Sequence, residues 1–286
     1  MAQVVNTKPY EYQALEGHEP IRLIELQPSS SLTATVQCKL IPKTLKQVRD
    51  DIVTPYIALS YVWGNPNDTT SIFVDDSTLQ ITKTLDCALR HVRDEERVIC
   101  VWADGICISQ CDNVEKAQQV ALMGEIYSIA DHTIIYLGPA ITTSEHVLCR
   151  ISTSCESDDY SSVYTDLALI HGINEILSNP WFSRIWILQE LVLSQDPRIQ
   201  WGRSRCSWRA LSQMSHFLAN ARLMPEIHEI KIGVEETGVH EGTDPLPIPR
   251  HGDAVTSRPY NLKRTYQSSS FRNPASNFFH LMCSYT

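Results

Sequence analysis

Glu190 has the surroundings of a working carboxylate. The segment Trp181 to Leu193, WFSRIWILQELVL, carries Phe182, Trp186, Glu190 and Leu193 at i, i+4, i+8 and i+11. A helix over this stretch would set aromatic rings and one carboxyl on a single face. Rings around a carboxyl strip it of water, which raises its pKa and suits it to stabilising a developing cation. The plainer alternative is a structural ion pair with Arg184 or Arg203. Asp104 is the second candidate, because it follows a short apolar run and sits where a strand would end. It either meets a ligand or caps the turn, a common task for Asp. Tyr61 and Trp63 follow another apolar run and could stack on the flat ring of a ligand, or fill the core.

Thiol chemistry is the third possibility. Cys107, Cys111 and His132 invite a nucleophile or metal reading, but a C-x3-C pair without a second ligand pair is a poor metal signature. A catalytic cysteine also needs a histidine within reach, which spacing alone does not supply. Buried structural thiols are the stronger reading, and a cysteine hydrolase built on Cys107 stays as a minor alternative.

These residues need elements to position them. Val98 to Ala103 is a continuous apolar run bounded by polar residues, the pattern of a strand buried on both faces. A loop from Asp104 to Asp112 follows. Asp112 then caps a helix, with Glu115 three residues on in a near capping-box arrangement. Ala117, Val120, Ala121, Gly124 and Tyr127 share one face of it, and Thr133 to Leu137 forms the next strand before Gly138-Pro139. Strand, loop, helix and strand make a βαβ unit, and ligands collect at the carboxyl ends of such strands.

Upstream, Ile21 to Leu26, Ala34 to Leu40 and Tyr56 to Tyr61 read as strands, with Lys43 to Asp51 a surface connection. Val62 to Asn67 is a turn by composition, and Gly64 permits a tight one. Ser71 to Val74 and Leu79 to Thr82 form a hairpin, and Thr84 to Val92 has helical spacing. Downstream, Cys149 to Tyr164 reads as a polar loop and Asp166 to Leu177 as a helix. Asn179-Pro180 starts the last helix. From Pro225 onward the apolar periodicity fades and six of the fifteen prolines fall, so this tail is expected to be poorly ordered. The expected architecture is a single α/β domain with a mainly parallel sheet flanked by helices and an N-terminal β hairpin. Its parts are a polar lead-in at 1–20, the domain at 21–224 and the tail at 225–286.

Composition narrows the function classes. The net charge of −9 argues against broad contact with a nucleic-acid backbone, which needs a basic face. No apolar run is long enough to span a membrane, and the first twenty residues lack a signal pattern. Nine cysteines without a CxxC pair fit reduced thiols in an intracellular protein.

Several segments in order resemble the fungal heterokaryon-incompatibility (HET) domain. They are Ile21 to Leu26, the stretch YIALSYVWG ending at Gly64, and WADGICISQ from Trp102 to Gln110 with Asp112 and Glu115. Gln119-Val120, Met123, Ile126-Tyr127, Ala130 and Leu137-Gly138 continue it, followed by PWFSRIW from Pro180 to Trp186 with Gln189-Glu190, and Trp201-Gly202. The resemblance covers roughly residues 21–203. Gly105 and Ser109 depart from the family's usual Ala and Asn.

The resemblance implies a cytoplasmic effector of fungal non-self recognition and programmed cell death. It also implies a TIR-like, flavodoxin-like sheet, and through that relation a candidate NAD hydrolase. Glu190 is then the catalytic carboxylate, stabilising the oxocarbenium-like sugar formed when the bond to nicotinamide breaks. Ser60, Tyr61, Trp63, Asp104, Gln110 and Trp186 are the residues that would hold NAD, a substrate and not a resident cofactor; no metal is implied. Self-association or contact with other cell-death proteins is the partner expectation. The alternatives from other classes are a non-catalytic oligomerising adaptor in the same pathway, and a truncated, inactive member.

Overall fold

The structure is a computed structural model that describes residues 8–139 and 144–221. The expected tail at 225–286 lies outside the described residues. Strand β1 (Pro20–Leu26) pairs antiparallel with β2 (Gln37–Thr44), which runs into the short helix α1 (Leu45–Asp50). Thr44 caps α1 through a full capping box with Gln47, so the expected surface connection is the end of a strand plus a helix. Strand β3 (Tyr56–Tyr61) follows, then the hairpin β4 (Thr69–Val74) and β5 (Ser77–Thr82), and helix α2 (Lys83–Val92). These match the expected strand, hairpin and helix closely.

The central unit comprises β6 (Ile99–Trp102), the four-residue helix α3 (Asp104–Cys107), α4 (Asn113–Ile129) and β7 (His132–Tyr136). Asp112 caps α4 by accepting from the N–H groups of Val114 and Glu115. The reciprocal half of the capping box does not form. Glu115 turns instead to the buried Arg22 on β1, accepting from Nη1 and Nη2 at 2.6 and 2.9 Å. A buried cation without such a partner would be far more costly than an unfinished cap.

The later elements are α5 (Ser144–Ser157), α6 (Leu167–Leu177), β8 (Pro197–Trp201), β9 (Ser204–Ser207) and α7 (Trp208–Asn220). Helix α5 replaces the first part of the expected loop at Cys149 to Tyr164, up to Ser157, while Asp158 to Ser162 lies outside helix and strand as expected. Its Val147, Leu148 and Ile151 are buried together with Ser154, while Thr153, Glu156 and Ser157 are exposed.

The nine strands form one sheet in the order β5-β4-β2-β1-β6-β3-β7-β8-β9. A mainly parallel sheet is not what forms: β1 runs antiparallel to both neighbours, and the β4–β5 and β8–β9 pairs are antiparallel too. Parallel pairing holds between β6, β3, β7 and β8 and again between β2 and β4. The architecture is therefore α/β with a mixed sheet. The expected N-terminal hairpin is continuous with that sheet through the β1–β6 ladder.

Two apolar clusters make the core. The larger gathers residues of β1, β3 and β6 with α2 and α4, and the second packs α5, α6 and α7 against β8 and β9. Strand β7 serves both. Ile134 and Tyr136 join the first cluster while Ile135 and Leu137 join the second, as alternation along a strand requires.

Candidate functional site

Strands β3 and β6 are parallel neighbours, so Ser60-Tyr61 and Asp104 arrive at the same rim of the sheet. Just past β3, Gly64 adopts φ of +72°, a conformation that costs glycine little, and turns the chain so that Trp63 faces Asp104. The Trp63 indole Nε1 donates to Asp104 Oδ2 at 2.8 Å. Gln110 folds back over α3 and its Nε2 donates to the Asp104 backbone oxygen at 2.8 Å. The Tyr61 phenol lies beside Gly105, where a Cβ would stand 2.5 Å from its oxygen. Gly105 thus leaves room for that ring.

Burial pushes the Asp104 carboxyl above the ordinary aspartate value, although Trp63, Arg184 and Tyr61 all pull the other way. Tyr61 stays protonated, since burial and the neighbouring Asp104 both drive its pKa well up.

A cleft of about 450 Å³ opens at this rim, with Trp63, Asp104, Gln110, Lys116, Arg184 and Trp186 among its lining residues. Most of its exposed wall is apolar. That size and lining suit a small organic ligand held by a few polar groups.

The helix expected from Trp181 to Leu193 is broken. Pro180–Ser183 forms a 3-10 turn, Arg184 is extended with φ −76° and ψ 145°, and Leu188–Val192 forms a single π turn. The break separates residues that a straight helix would align. Phe182 and Glu190 go inward, at 6% and 1% exposure, and Trp186 stands at the mouth of the cleft at 44%.

Glu190 does not line the cleft. Arg184 grips it with two hydrogen bonds, Nη1 to Oε2 at 2.8 Å and Nη2 to Oε1 at 2.9 Å. The Ser60 hydroxyl donates to Oε2 at 2.5 Å and accepts from Trp181 Nε1 at 2.6 Å. Burial pushes the Glu190 carboxyl up from the usual glutamate value, with Arg184 and Ser60 opposing the rise. The arrangement is a clamp between the carboxyl end of β3 and the broken segment, and Arg184 is its one member that also reaches the cleft.

The proposed site residues therefore separate into two sets. Trp63, Asp104, Gln110 and Trp186 share the cleft; Ser60 and Glu190 share the clamp behind it, with Arg184 between the two. Tyr61 is buried against Asp104. The cysteine hydrolase alternative fails on geometry. Cys107 is fully buried, its thiol is pushed up by burial, and His132 opens β7 at the opposite rim from the end of β6. Lys116 on α4 and Trp181 were missed, because only the folded chain shows which surface of α4 meets β3 and which group holds Ser60.

A second network steadies the loop after β6. Arg22 also donates to the Cys107 backbone oxygen at 3.1 Å and to that of Gln13 at 2.6 Å, and its guanidinium lies 5.0 Å from the Tyr12 ring centre. Ser109 N–H donates to Glu115 Oε1 at 2.7 Å. Burial works against the charge on Glu115, yet Arg22 and the Ser109 N–H hold its carboxyl below the ordinary value.

Comparison with known proteins follows the same stretch. Residues 56–190 match the family described as heterokaryon incompatibility protein (HET). That span runs from the start of β3 to Glu190, taking in both the cleft and the clamp. The chain is also similar to heterokaryon incompatibility protein 6, OR allele, of Neurospora crassa, with 28% identity over an alignment of 259 residues. The alignment covers 73% of this chain and 37% of that protein, so the chain spans little more than a third of its relative's length. No solved structure matches the chain.

Proposed function

We propose that this chain, which carries a HET domain over residues 56–190, works in fungal non-self recognition as a cell-death effector whose domain acts through contacts with other proteins. The family match and the heterokaryon-incompatibility relative support the recognition role. One observation favours an adaptor over an enzyme. The carboxylate best suited to sugar chemistry is already consumed, held in two Arg184 hydrogen bonds and one from Ser60, at 1% exposure. A carboxylate stabilises an oxocarbenium ion only by standing close to the anomeric carbon. Glu190 in its clamp has no path to one.

The cleft favours a second reading, in which NAD is cleaved after the clamp opens. Trp63 and Trp186 offer rings for stacking, Asp104 and Gln110 offer polar contacts, and Arg184 could exchange Glu190 for a ligand phosphate. Self-association would supply the trigger. The two readings part on one assay, NAD consumption by the concentrated full chain and by Glu190→Gln. The adaptor reading expects no turnover above buffer in either protein. Turnover by the natural chain that disappears in Glu190→Gln, with the variant still folded, would overturn it in favour of hydrolysis.

A further inference from the structure

We propose that Cys87 is a reactive thiol, a site of covalent modification by hydroperoxides and other soft electrophiles, held ready by His91 and Tyr136. Cys87 and His91 stand four residues apart on α2 and so share one face. The end of β7 brings Tyr136 against them. Cys87 Sγ lies 3.2 Å from the Tyr136 hydroxyl and 3.6 Å from His91 Nδ1, and the hydroxyl lies 2.9 Å from the same Nδ1. None of the three lines the cleft or joins the Arg184 clamp, although Tyr136 is the ladder partner of Tyr61, and both Cys87 and His91 are half-buried.

The protons in this cluster can be placed by elimination. His91 Nδ1 is 2.8 Å from the Cys87 backbone oxygen, which can only accept, so Nδ1 carries a hydrogen. That one hydrogen is engaged at the carbonyl, and the Tyr136 oxygen 2.9 Å away can share it but cannot donate to a protonated Nδ1. Tyr136 keeps its own proton, since burial drives its pKa upward. With Nδ1 already a donor, that proton points to the sulfur. A thiolate at Cys87 thus has one donor aimed at it, the phenol at 3.2 Å, with the imidazole at 3.6 Å acting on it through charge when His91 is protonated.

Hydrogen bonds to the charged form favour it. A charge on His91 acts in the same sense and that on Asp86 against it. The His91 hydrogen bond is the largest influence holding the Cys87 thiol below its ordinary value, against burial and the carboxylate of Asp86. His91 in turn is raised chiefly by its bond to Cys87, with burial and Arg203 opposing, and its place in the last turn of α2 favours a cation. Among the described cysteines, Cys87 alone has an imidazole within hydrogen-bond reach. Cys111 and Cys149 are more exposed but lack that support.

The reaction with a hydroperoxide balances without another reagent. The thiolate sulfur attacks the outer oxygen, an S–O bond forms and the O–O bond breaks. Sulfur is oxidised to the sulfenic acid, and the departing oxygen, reduced to an alcohol or water, takes up the proton the thiol released.

The test is pulse labelling of the full chain with iodoacetamide between about pH 5.5 and 9, read at each cysteine by mass spectrometry. The Cys87 profile is expected to rise at lower pH than the Cys111 and Cys149 profiles recorded in the same experiment. His91→Gln and Tyr136→Phe should each move it back towards theirs, cutting the Cys87 rate at neutral pH up to about tenfold. Hydrogen peroxide with a dimedone trap should mark Cys87 first. A Cys87 midpoint equal to those of Cys111 and Cys149 would overturn the proposal, and so would a midpoint that neither variant moves. The comparison within the natural chain decides the matter even if a variant fails to fold.

Discussion

Arg184 and Glu190 face each other across a break in the chain. Six residues separate them, a spacing that puts side chains of a straight helix well apart around its axis. They meet because Arg184 is extended and Glu190 lies in a π turn, which brings the guanidinium square onto the carboxylate at 2.8 and 2.9 Å. Ser60 then ties the pair to the end of β3, 130 positions earlier in the chain. Local irregularity thus creates a long-range polar joint behind the cleft. Single π turns of this sort are frequent at functional positions.

The two halves of the clamp should not be equally costly to remove. Arg184 is 17% exposed in its side chain and borders the cleft, so without Glu190 it can turn to water there. Glu190, at 1%, has no such exit. Removing one partner of a buried pair strands the other charge. Arg184→Met is therefore expected to cost about 3–5 kcal/mol at neutral pH and Glu190→Gln about 1–3 kcal/mol. Urea unfolding of the two variants and the double mutant checks this. The double mutant should fall well short of the sum, and equal losses from the two single changes would contradict the asymmetry.

The pair of Arg22 and Glu115 gives a pH-dependent counterpart. Glu115 is held below its ordinary value of 4.5, so its contribution is fully present above that pH. It is lost as the pH falls through the lowered native value, because the folded state then takes up a proton the unfolded chain already holds. Glu115→Gln should cost about 2–4 kcal/mol at neutral pH. The gap to the natural chain should close as the pH drops below 4.5, provided both still fold. Denaturant midpoints on either side of that pH measure it; a gap that stays constant would mean that packing and not charge carries the contribution of Glu115.

Much of this arrangement was legible in the sequence. The run YIALSY gives β3 with its bounds, and Asp112 caps α4 as its residue type and position demand. The cleft residues Trp63, Asp104, Gln110 and Trp186 do converge. Strand direction was not legible, because a strand such as β1, buried on both faces from Ile21 to Ile24, carries no pattern that depends on whether its partner runs parallel or antiparallel. Helix α5 was hidden by its Ser and Thr residues and by the Asp158-Asp159 pair that follows it. The inward turn of Glu190 was hidden more deeply, since the i, i+4 pattern of Phe182, Trp186 and Glu190 fits a straight helix and nothing in it signals the break at Arg184. The Cys87–His91 spacing was visible on α2, but Tyr136 completes that cluster only through tertiary packing.

Gly64 offers the cleanest probe of how the cleft is built. Its φ of +72° is strained for any residue with a Cβ, and that Cβ would stand 2.7 Å from Thr84 Cγ2. Thr84 cannot simply leave, because its hydroxyl donates to the Trp63 backbone oxygen at 2.5 Å and so holds the turn that aims Trp63 at Asp104. Gly64→Ala is expected to cost about 1–3 kcal/mol, from the dihedral and the clash together. Thr84→Ser removes the offending methyl and keeps the hydroxyl, so combining it with Gly64→Ala should recover the steric part and leave the dihedral part. Thermal unfolding of the four proteins in that cycle separates the two contributions. If Thr84→Ser recovers nothing, the clash is relieved elsewhere and the backbone angle alone sets the requirement for glycine.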